Sequence, residues 1–437
     1  MHVALISSRQ DPAGCNISHH VRSLLEESGD AFSSRGRTYT FHETEGRLIH
    51  AEHADSGIDA DLVIFLSRHA SAKPVPILTV HVTGNFREAE LGGGPRTLAP
   101  AAPAMMQATL RSLARHCPEG YLVSYEVTHH GPTGLSHPSF FVEIGSTEKE
   151  WTDPVAGRAV AEAVLDAAMV HAVPLIGFGG THYAKRETEI ALSTRGAFGH
   201  IAHTREVGML DEAMIRSMIE NSGAVAAYID RKAIDRESLR RLTGILDAVP
   251  ILRLSESEVA AIGHLPWETY RAIRDLAGQE APGARCFIHA LEGTGPLETI
   301  AIDPVLLGEA VKADEPGLIR DLSALPVVHL SSQDNRLLPV FVTFTKHSSQ
   351  IINALNTLCV KIIRNSEITA TERDYLIIKK IRFDPAKARE QGVPEGPACH
   401  QLAAGQAVEI NGRMITPEMV ASGREIRIHV PGLEKFT

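Results

Sequence analysis

Short apolar runs punctuate the first 255 residues, at positions 3–6, 62–66, 77–82, 121–127, 140–144, 175–178, 225–229 and 251–254, most of them ending in polar or glycine-rich turns. Runs of this length bounded by turn residues predict buried strands. Between them, apolar residues recur at helical spacing over 17–26, 104–116, 155–171, 211–219 and 236–246. Strand alternating with helix predicts an open, mostly parallel α/β sheet, a three-layer arrangement with helices on both faces. Ligands of such sheets bind beyond the carboxyl ends of the strands, so the residues that follow each apolar run are the first place to look for chemistry.

After Ser255 the alternation loosens. Turns rich in Pro, Gly and acidic residues at 280–283, 292–296 and 314–317 separate shorter elements, which predicts an α+β accessory domain over 256–437, with a boundary near 256–265. A chain of 437 residues accommodates two or three domains.

Composition narrows the class. With 43% hydrophobic and 22% charged residues and no apolar stretch long enough to span a bilayer, the chain reads as soluble and globular, with no membrane partner. A net charge of −10, shared by both halves, argues against a DNA-coating protein but leaves room for a local RNA-binding patch. Five scattered cysteines without a Cys-x-x-Cys pair indicate a reducing compartment. The opening segment, residues 1–8, reads as a first strand and not as a secretion signal, so the expected location is the cytoplasm.

Of 22 histidines, sixteen fall in the first 203 residues. His69, His81, His129, His130 and His182 sit in or just after apolar runs, which predicts that several strand ends converge on one imidazole-rich pocket. In Ser124-Tyr125-Glu126-Val127-Thr128-His129-His130-Gly131-Pro132-Thr133 a strand delivers two adjacent imidazoles into a turn. Adjacent side chains of an extended segment point to opposite faces, so one of the pair is expected to reach a given centre and the other to orient it or bind substrate. Glu143 stands inside the apolar run Phe140-Phe141-Val142-Glu143-Ile144, where a carboxylate is costly unless it is paired, protonated or bound to a cation. In Gly177-Phe178-Gly179-Gly180-Thr181-His182-Tyr183, glycines at a strand end supply N–H groups for an anionic oxygen, with Lys185 and Thr188 following at the mouth of a helix. His129, Glu143 and His182 have the composition of a catalytic zinc site. The helical His-Glu-x-x-His spacing is absent, and metal-free acid–base catalysis by the same residues remains open.

At these motifs the chain resembles the archaeal-type D-aminoacyl-tRNA deacylases. The resemblance runs over most of 1–255 and is carried by Leu78-Thr79-Val80-His81-Val82-Thr83-Gly84-Asn85, Glu126-Val127-Thr128-His129-His130-Gly131-Pro132, Phe141-Val142-Glu143-Ile144-Gly145-Ser146-Thr147, Gly179-Gly180-Thr181-His182-Tyr183 and Phe198-Gly199-His200-Ile201. It implies a phosphorylase/hydrolase-like α/β fold, hydrolysis of the ester that joins a D-amino acid to the terminal ribose of tRNA, and Zn2+ as cofactor. On chemical grounds His129, Glu143 and His182 are then expected to hold the metal and its water, and His130 or Glu126 to move the proton. The N–H groups at 179–181, Gly180 and Thr181 among them, are expected to stabilise the oxyanion, and Thr181, Lys185 and Thr188 to grip the 3′ end of the tRNA. A metallo-amidase or peptidase acting on small substrates and a non-catalytic tRNA-binding protein are the competing readings. A monomer is the expected state.

The second half carries a different likeness. The segment 383–420, with Phe383-Asp384-Pro385, Gly392-Val393-Pro394-Glu395-Gly396-Pro397 and Asn411-Gly412-Arg413-Met414-Ile415-Thr416-Pro417-Glu418, looks like part of tRNase Z. The endonuclease's His-x-His-x-Asp-His motif is absent, so nuclease activity is not implied. Just upstream, residues 361–389 hold eight basic side chains against four acidic ones, and Lys379, Lys380 and Arg382 are expected to contact the tRNA backbone.

Overall fold

The computed structural model describes residues 1–28, 32–72 and 74–435, and divides into two compact units, Met1–Gly263 and His264–Thr437. The first unit runs past Ser255 because a further short helix belongs to it. Its elements in chain order are β1 (His2–Ser8), α1 (Pro12–Glu27), β2 (Ser33–Ser34), β3 (Arg37–Thr44), β4 (Leu62–Ala70), β5 (Ile77–His81), α2 (Pro103–His116), β6 (Leu122–Tyr125), β7 (Ser139–Ser146), α3 (Glu148–Trp151) and α4 (Pro154–Asp166). Then follow β8 (Val173–Phe178), α5 (Lys185–Ser193), β9 (Gly196–Ala202), α6 (Thr204–Val207), α7 (Glu212–Ser222), β10 (Ala226–Ile229), α8 (Arg236–Ala248), β11 (Leu252–Leu254) and α9 (Glu256–Ala261).

Each apolar run foreseen in this half forms a strand. They build two sheets, however, not one open sheet. The larger has the order β2-β3-β1-β4-β7-β5-β6 and the smaller the order β11-β10-β8-β9. The small sheet is parallel throughout. In the large one β3, β1, β4 and β7 run parallel, while β5 and β6 run against β7, so this sheet is mixed. Three strands escaped the sequence reading, the two-residue β2 among them. β3 (RTYTFHET) alternates weakly, and β9 (GAFGHIA) is broken by glycines although it is buried throughout.

The helices begin where local chemistry ends the preceding turn. Asp11 accepts from the Gly14 N–H ahead of α1, and Asp153 from the Val155 N–H ahead of α4, each followed by proline in the first turn. Helices α1, α2 and α4 pack against the large sheet, and α2 also touches β8 and β9 of the small one. β4 and β7 are almost wholly buried, as expected of central strands covered on both faces.

The second unit is built from antiparallel sheets and helices: α10 (Trp267–Glu280), β12 (Arg285–Ile288), β13 (Leu297–Ala301), α11 (Pro304–Leu322), β14 (Val328–Ser331), β15 (Leu337–Phe344) and α12 (Ser348–Ser366). After them come β16 (Ile368–Glu372), β17 (Tyr375–Phe383), α13 (Pro385–Glu390), α14 (Pro397–Ala403), β18 (Val408–Ile410), β19 (Arg413–Ile415) and β20 (Ala421–His429). The sheets are β12-β14-β15-β13, β16-β17-β20 and the hairpin β18-β19. Within residues 383–420, Ala388, Val393, Leu402, Val408, Ile415 and Val420 form a small core of their own. Among the described residues no helix is long and apolar enough to cross a membrane.

Candidate active site

Register places the first part of the site. Glu143 of β7 pairs with Ser67 of β4 on one side and with Thr79 of β5 on the other. Alternate residues share a face, so His69, two positions beyond Ser67, and His81, two beyond Thr79, project on the same side as Glu143. Because β5 runs antiparallel, the two imidazoles flank Glu143 from opposite ends instead of lying level. Nδ1 of His69 is 3.8 Å and Nε2 of His81 3.7 Å from its Oε2. Gly145 leaves room for this arrangement, since a Cβ there would come 2.8 Å from His69 Cδ2.

The second part comes from the turn after β6. Glu126 donates its N–H to the Val80 carbonyl (3.1 Å), Val127 to His182 (3.0 Å) and Thr128 to Ile201 (2.9 Å). These bonds tie the end of β6 in the large sheet to β9 and to the turn after β8 in the small one. The Glu126 side chain, 0% exposed, consequently meets three imidazoles: His182 Nε2 at 2.9 Å, His69 Nδ1 at 3.1 Å and His129 Nε2 at 3.4 Å. His130 takes a left-handed φ of 45°, and the following Gly131 passes so near the main chain of Gly92 and Gly93 that a Cβ would come 2.3 Å from the Gly93 nitrogen. Close approach at Gly131 thus sets the direction in which His130 leaves the turn.

Main-chain carbonyls orient two of the rings. His129 donates Nδ1–H to Val127 (2.7 Å) and His130 donates Nδ1–H to Gly131 (2.6 Å), which leaves each Nε2 with its lone pair available. Burial, reinforced by neighbouring imidazoles, holds His129 well below the usual histidine range and His130 at about 3, so both are neutral. Burial also opposes charge on His69 and His81, but the neighbouring carboxylates, Glu126 beside His69 and Glu143 with Glu126 near His81, outweigh it and raise both. Glu126 is likewise penalised by burial, yet His182 and His69 hold it well below the ordinary carboxylate range. Burial lifts Glu143, and the charge of Glu126 adds to that. The two carboxylates of the cluster are thus shifted in opposite directions.

Three groups present donor atoms within 4.8 Å of one another: His69, Glu126 and His182; His81, Glu126 and Glu143; and His81, His129 and His130. His129, Glu143 and His182, read from the sequence as one ligand set, are distributed over these three groups. The structure puts Glu126 at the centre and adds His69 and His81. Both had been noticed at strand ends, but nothing in the sequence shows that β5 turns against β7. Glu126 Oε1 and Oε2 and His81 Nε2 are buried without an aligned hydrogen-bond partner among the described residues. Buried, unsatisfied nitrogen and oxygen donors at this spacing fit a divalent cation.

The glycine turn borders the cluster. Gly179 and Gly180 take φ of 114° and 87°. The Gly179 N–H is spent on Ala202 (2.9 Å), which removes it from the expected oxyanion donors, and the Gly180 carbonyl accepts from Thr204 N–H (3.1 Å) and Oγ1 (2.8 Å). Thr181 and Lys185 are exposed, and His182 is 42% exposed, so the cluster opens to solvent on this side. Thr188 is buried. Its hydroxyl accepts from Tyr125 N–H (2.9 Å) and donates to the Ala184 carbonyl (2.7 Å), so it fastens α5 to β6 and presents nothing to a nucleic acid. In the second unit Lys379 and Arg382 are exposed on β17, whereas Lys380 turns inward to Glu309 and Glu367 and is unavailable for phosphate contact.

Fold and cluster together define an α/β protein with a buried His/Glu centre, suited to a metal, at the seam of two sheets. The chain belongs to the D-aminoacyl-tRNA deacylase family. The family model described as D-aminoacyl-tRNA deacylase matches residues 56–252. A protein of Methanoregula boonei named D-aminoacyl-tRNA deacylase is 65% identical over 100% of both chains, and one of Methanoculleus marisnigri with the same name is 50% identical over 100% of both. A shorter relative of that name from Methanosarcina mazei is 38% identical over 59% of this chain and 93% of its own. Among solved structures, a conserved protein of unknown function superposes with a TM-score of 0.54 at 33% identity, covering 59% of this chain and 96% of that one.

Proposed function

We propose that the protein hydrolyses the ester between a D-amino acid and the 3′-terminal ribose of tRNA, releasing the free D-amino acid and tRNA as a quality-control step in translation. The observation that carries the reading is the Glu126-centred cluster of imidazoles and carboxylates, opening to solvent beside a glycine turn, in a chain whose full-length relatives bear that name. The family-model match at 56–252 supports the first unit as the catalytic one.

The residues that would hold a metal are His69, Glu126 and His182, with His81 and Glu143 beyond the shared Glu126. The nitrogen and oxygen donor set favours zinc, which when bound would polarise the ester carbonyl and make water more acidic. Glu126 thereby passes from proton carrier to shared carboxylate. His129 and His130, kept neutral by burial, are left to orient and hydrogen-bond the substrate. The N–H groups of Gly180 and Thr181 would receive the negative charge that develops on the carbonyl oxygen, an effect of a few kcal/mol per donor. Lys185, exposed in the first turn of α5, is placed to meet the 3′-terminal phosphates. Lys379 and Arg382 of the second unit are proposed to contact the tRNA backbone, and the tRNase Z-like segment beside them is consistent with an RNA-directed accessory role. The three-layer phosphorylase/hydrolase-like arrangement rests on the resemblance; α1, α2 and α4, which pack on one another as well as on the large sheet, would supply one of its helical layers. A cytoplasmic monomer acting on aminoacyl-tRNA, with no DNA partner, completes the reading.

The test is deacylation of matched D- and L-aminoacyl-tRNA by purified protein, before and after metal removal and zinc return. Hydrolysis of the D-ester that disappears with the metal and returns with zinc is expected. Equal turnover of a D-amino acid amide would favour an amidase, and tRNA binding without turnover would leave only an RNA-binding protein.

A further inference from the structure

Behind the glycine turn lies an acid that the chemistry above does not use. Glu187, in the first turn of α5, is 0% exposed, and neither of its carboxyl oxygens has a hydrogen-bond partner among the described residues. Its stem passes against Gly177, where a Cβ would stand 3.3 Å from Glu187 Cγ, and Oε2 faces Gly180, where a Cβ would stand 3.7 Å away. From the other side Asp230, following β10, presses on the same turn, with its Cβ 3.0 Å from where a Gly179 Cβ would be. The turn that carries Thr181 and His182 is therefore held between two carboxyl side chains, one buried and one at the rim.

We propose that Glu187 is a positioning residue: packed beneath Gly177 and Gly180, it holds the turn so that Thr181 and His182 stay at the reaction centre. The inference rests on the deacylase reading of that centre.

The environment requires Glu187 to do this as the neutral acid. The adjacent Arg186 is committed to Glu189 (3.1 Å) and Glu256 (2.8 Å), so its pull and that of the Glu187 N–H do not offset the burial of a charge. The other titratable groups acting on the pocket are Asp230 and, on β10, Tyr228, neither of which supplies positive charge. Burial, aided by Asp230, pushes the Glu187 carboxyl up to about 8. Below that pH the acid is accommodated. Above it, ionisation would drive the side chain towards water and away from its place against Gly177 and Gly180.

The test compares wild type, Glu187→Gln and Glu187→Ala at pH 7 and pH 9, using two readouts. The first is hydrogen exchange at the amides of 179–183, and the second is D-aminoacyl-tRNA hydrolysis corrected for spontaneous ester cleavage. Glutamine, neutral and of the same shape, should match wild type at pH 7 and keep its protection at pH 9, where wild type loses protection. Alanine should lose protection at both pH values and lower the rate at saturating substrate at least tenfold, with little change in tRNA affinity. Equal protection in all three proteins, or a glutamine variant as damaged as alanine, overturns the proposal. Should no protein hydrolyse the ester while the exchange pattern holds, the functional reading fails and the support of the turn by Glu187 stands.

Discussion

Glu126 and His182 meet at 2.9 Å although the chain brings them from different sheets. Glu126 ends β6 of the large sheet, while His182 sits in the turn after β8 of the small one, and the Val127 N–H bonded to the His182 carbonyl at 3.0 Å clamps the two turns together. The centre exists only where the sheets join.

Replacing Glu126 by glutamine removes the carboxylate that three imidazoles share. Deacylation and metal affinity should each fall by about 10–100-fold or more. Elemental analysis beside a rate assay checks this, and His69→Ala should show the same joint loss, although sequence alone had not placed His69 in the ligand set. A fully loaded, fully active Glu126→Gln protein would show that the centre lies elsewhere.

Metal removal should register in stability as well as in rate. Zinc bound to the folded protein at about a hundred times its dissociation constant adds about 2.7 kcal/mol. Melting should accordingly drop by several degrees after chelation and recover on zinc return. The Glu126→Gln variant should respond less.

Asp55 governs a pH effect remote from catalysis. Burial alone would lift its carboxyl, but the ring of His137 at 2.8 Å and the N–H groups of Ser136 and His137 outweigh that and hold it below its ordinary value. Since the folded state binds the proton less readily than the unfolded chain, this stability is fully present above about pH 4 and is lost as pH falls further, through the folded value. Asp55→Asn should cost about 1–2 kcal/mol at pH 7 and flatten the acid limb of the stability curve. Denaturant titration from pH 7 to pH 3 measures both.

Three residues of β17 should separate structure from RNA contact. Lys380→Ala breaks the pairing with Glu309, whose carboxyl is held low, against its burial, by Lys312 and Lys380, and should cost about 1–2 kcal/mol without altering the salt dependence of tRNA binding. Lys379→Ala with Arg382→Ala should leave melting unchanged and lower the slope of log affinity against log salt by about 1–2.

Thr188 offers the same distinction in the first unit. Removing its hydroxyl with valine leaves the Tyr125 N–H without its partner and should destabilise by about 1–3 kcal/mol, while tRNA affinity stays constant. Lys185→Ala should do the reverse.

Much of the site was readable because its signals are local. Glu143 could be singled out since a carboxylate amid Phe140, Phe141, Val142 and Ile144 demands an explanation, and the structure buries it on a central strand. The pair His129 and His130 could be placed at a strand end for similar reasons. The partners could not, because which imidazoles share a face with Glu143 depends on the direction of β5, and strand direction leaves no trace in an apolar run. The division into two sheets is equally hidden, as β8 and β4 are both nearly continuous buried apolar runs. Thr188 and Lys380 were misread for one reason: a polar residue next to a motif looks available until packing shows its partners.

The clamp between Val127 and His182 has a mechanical meaning. A cation held by His69, Glu126 and His182 would add a cross-link between two sheets already joined by hydrogen bonds at Val127 and Thr128, and it would close the long loop of chain from β6 to the turn after β8. Loading the centre would then act on folding as well as on chemistry, restricting the ways in which the small sheet can come away from the large one.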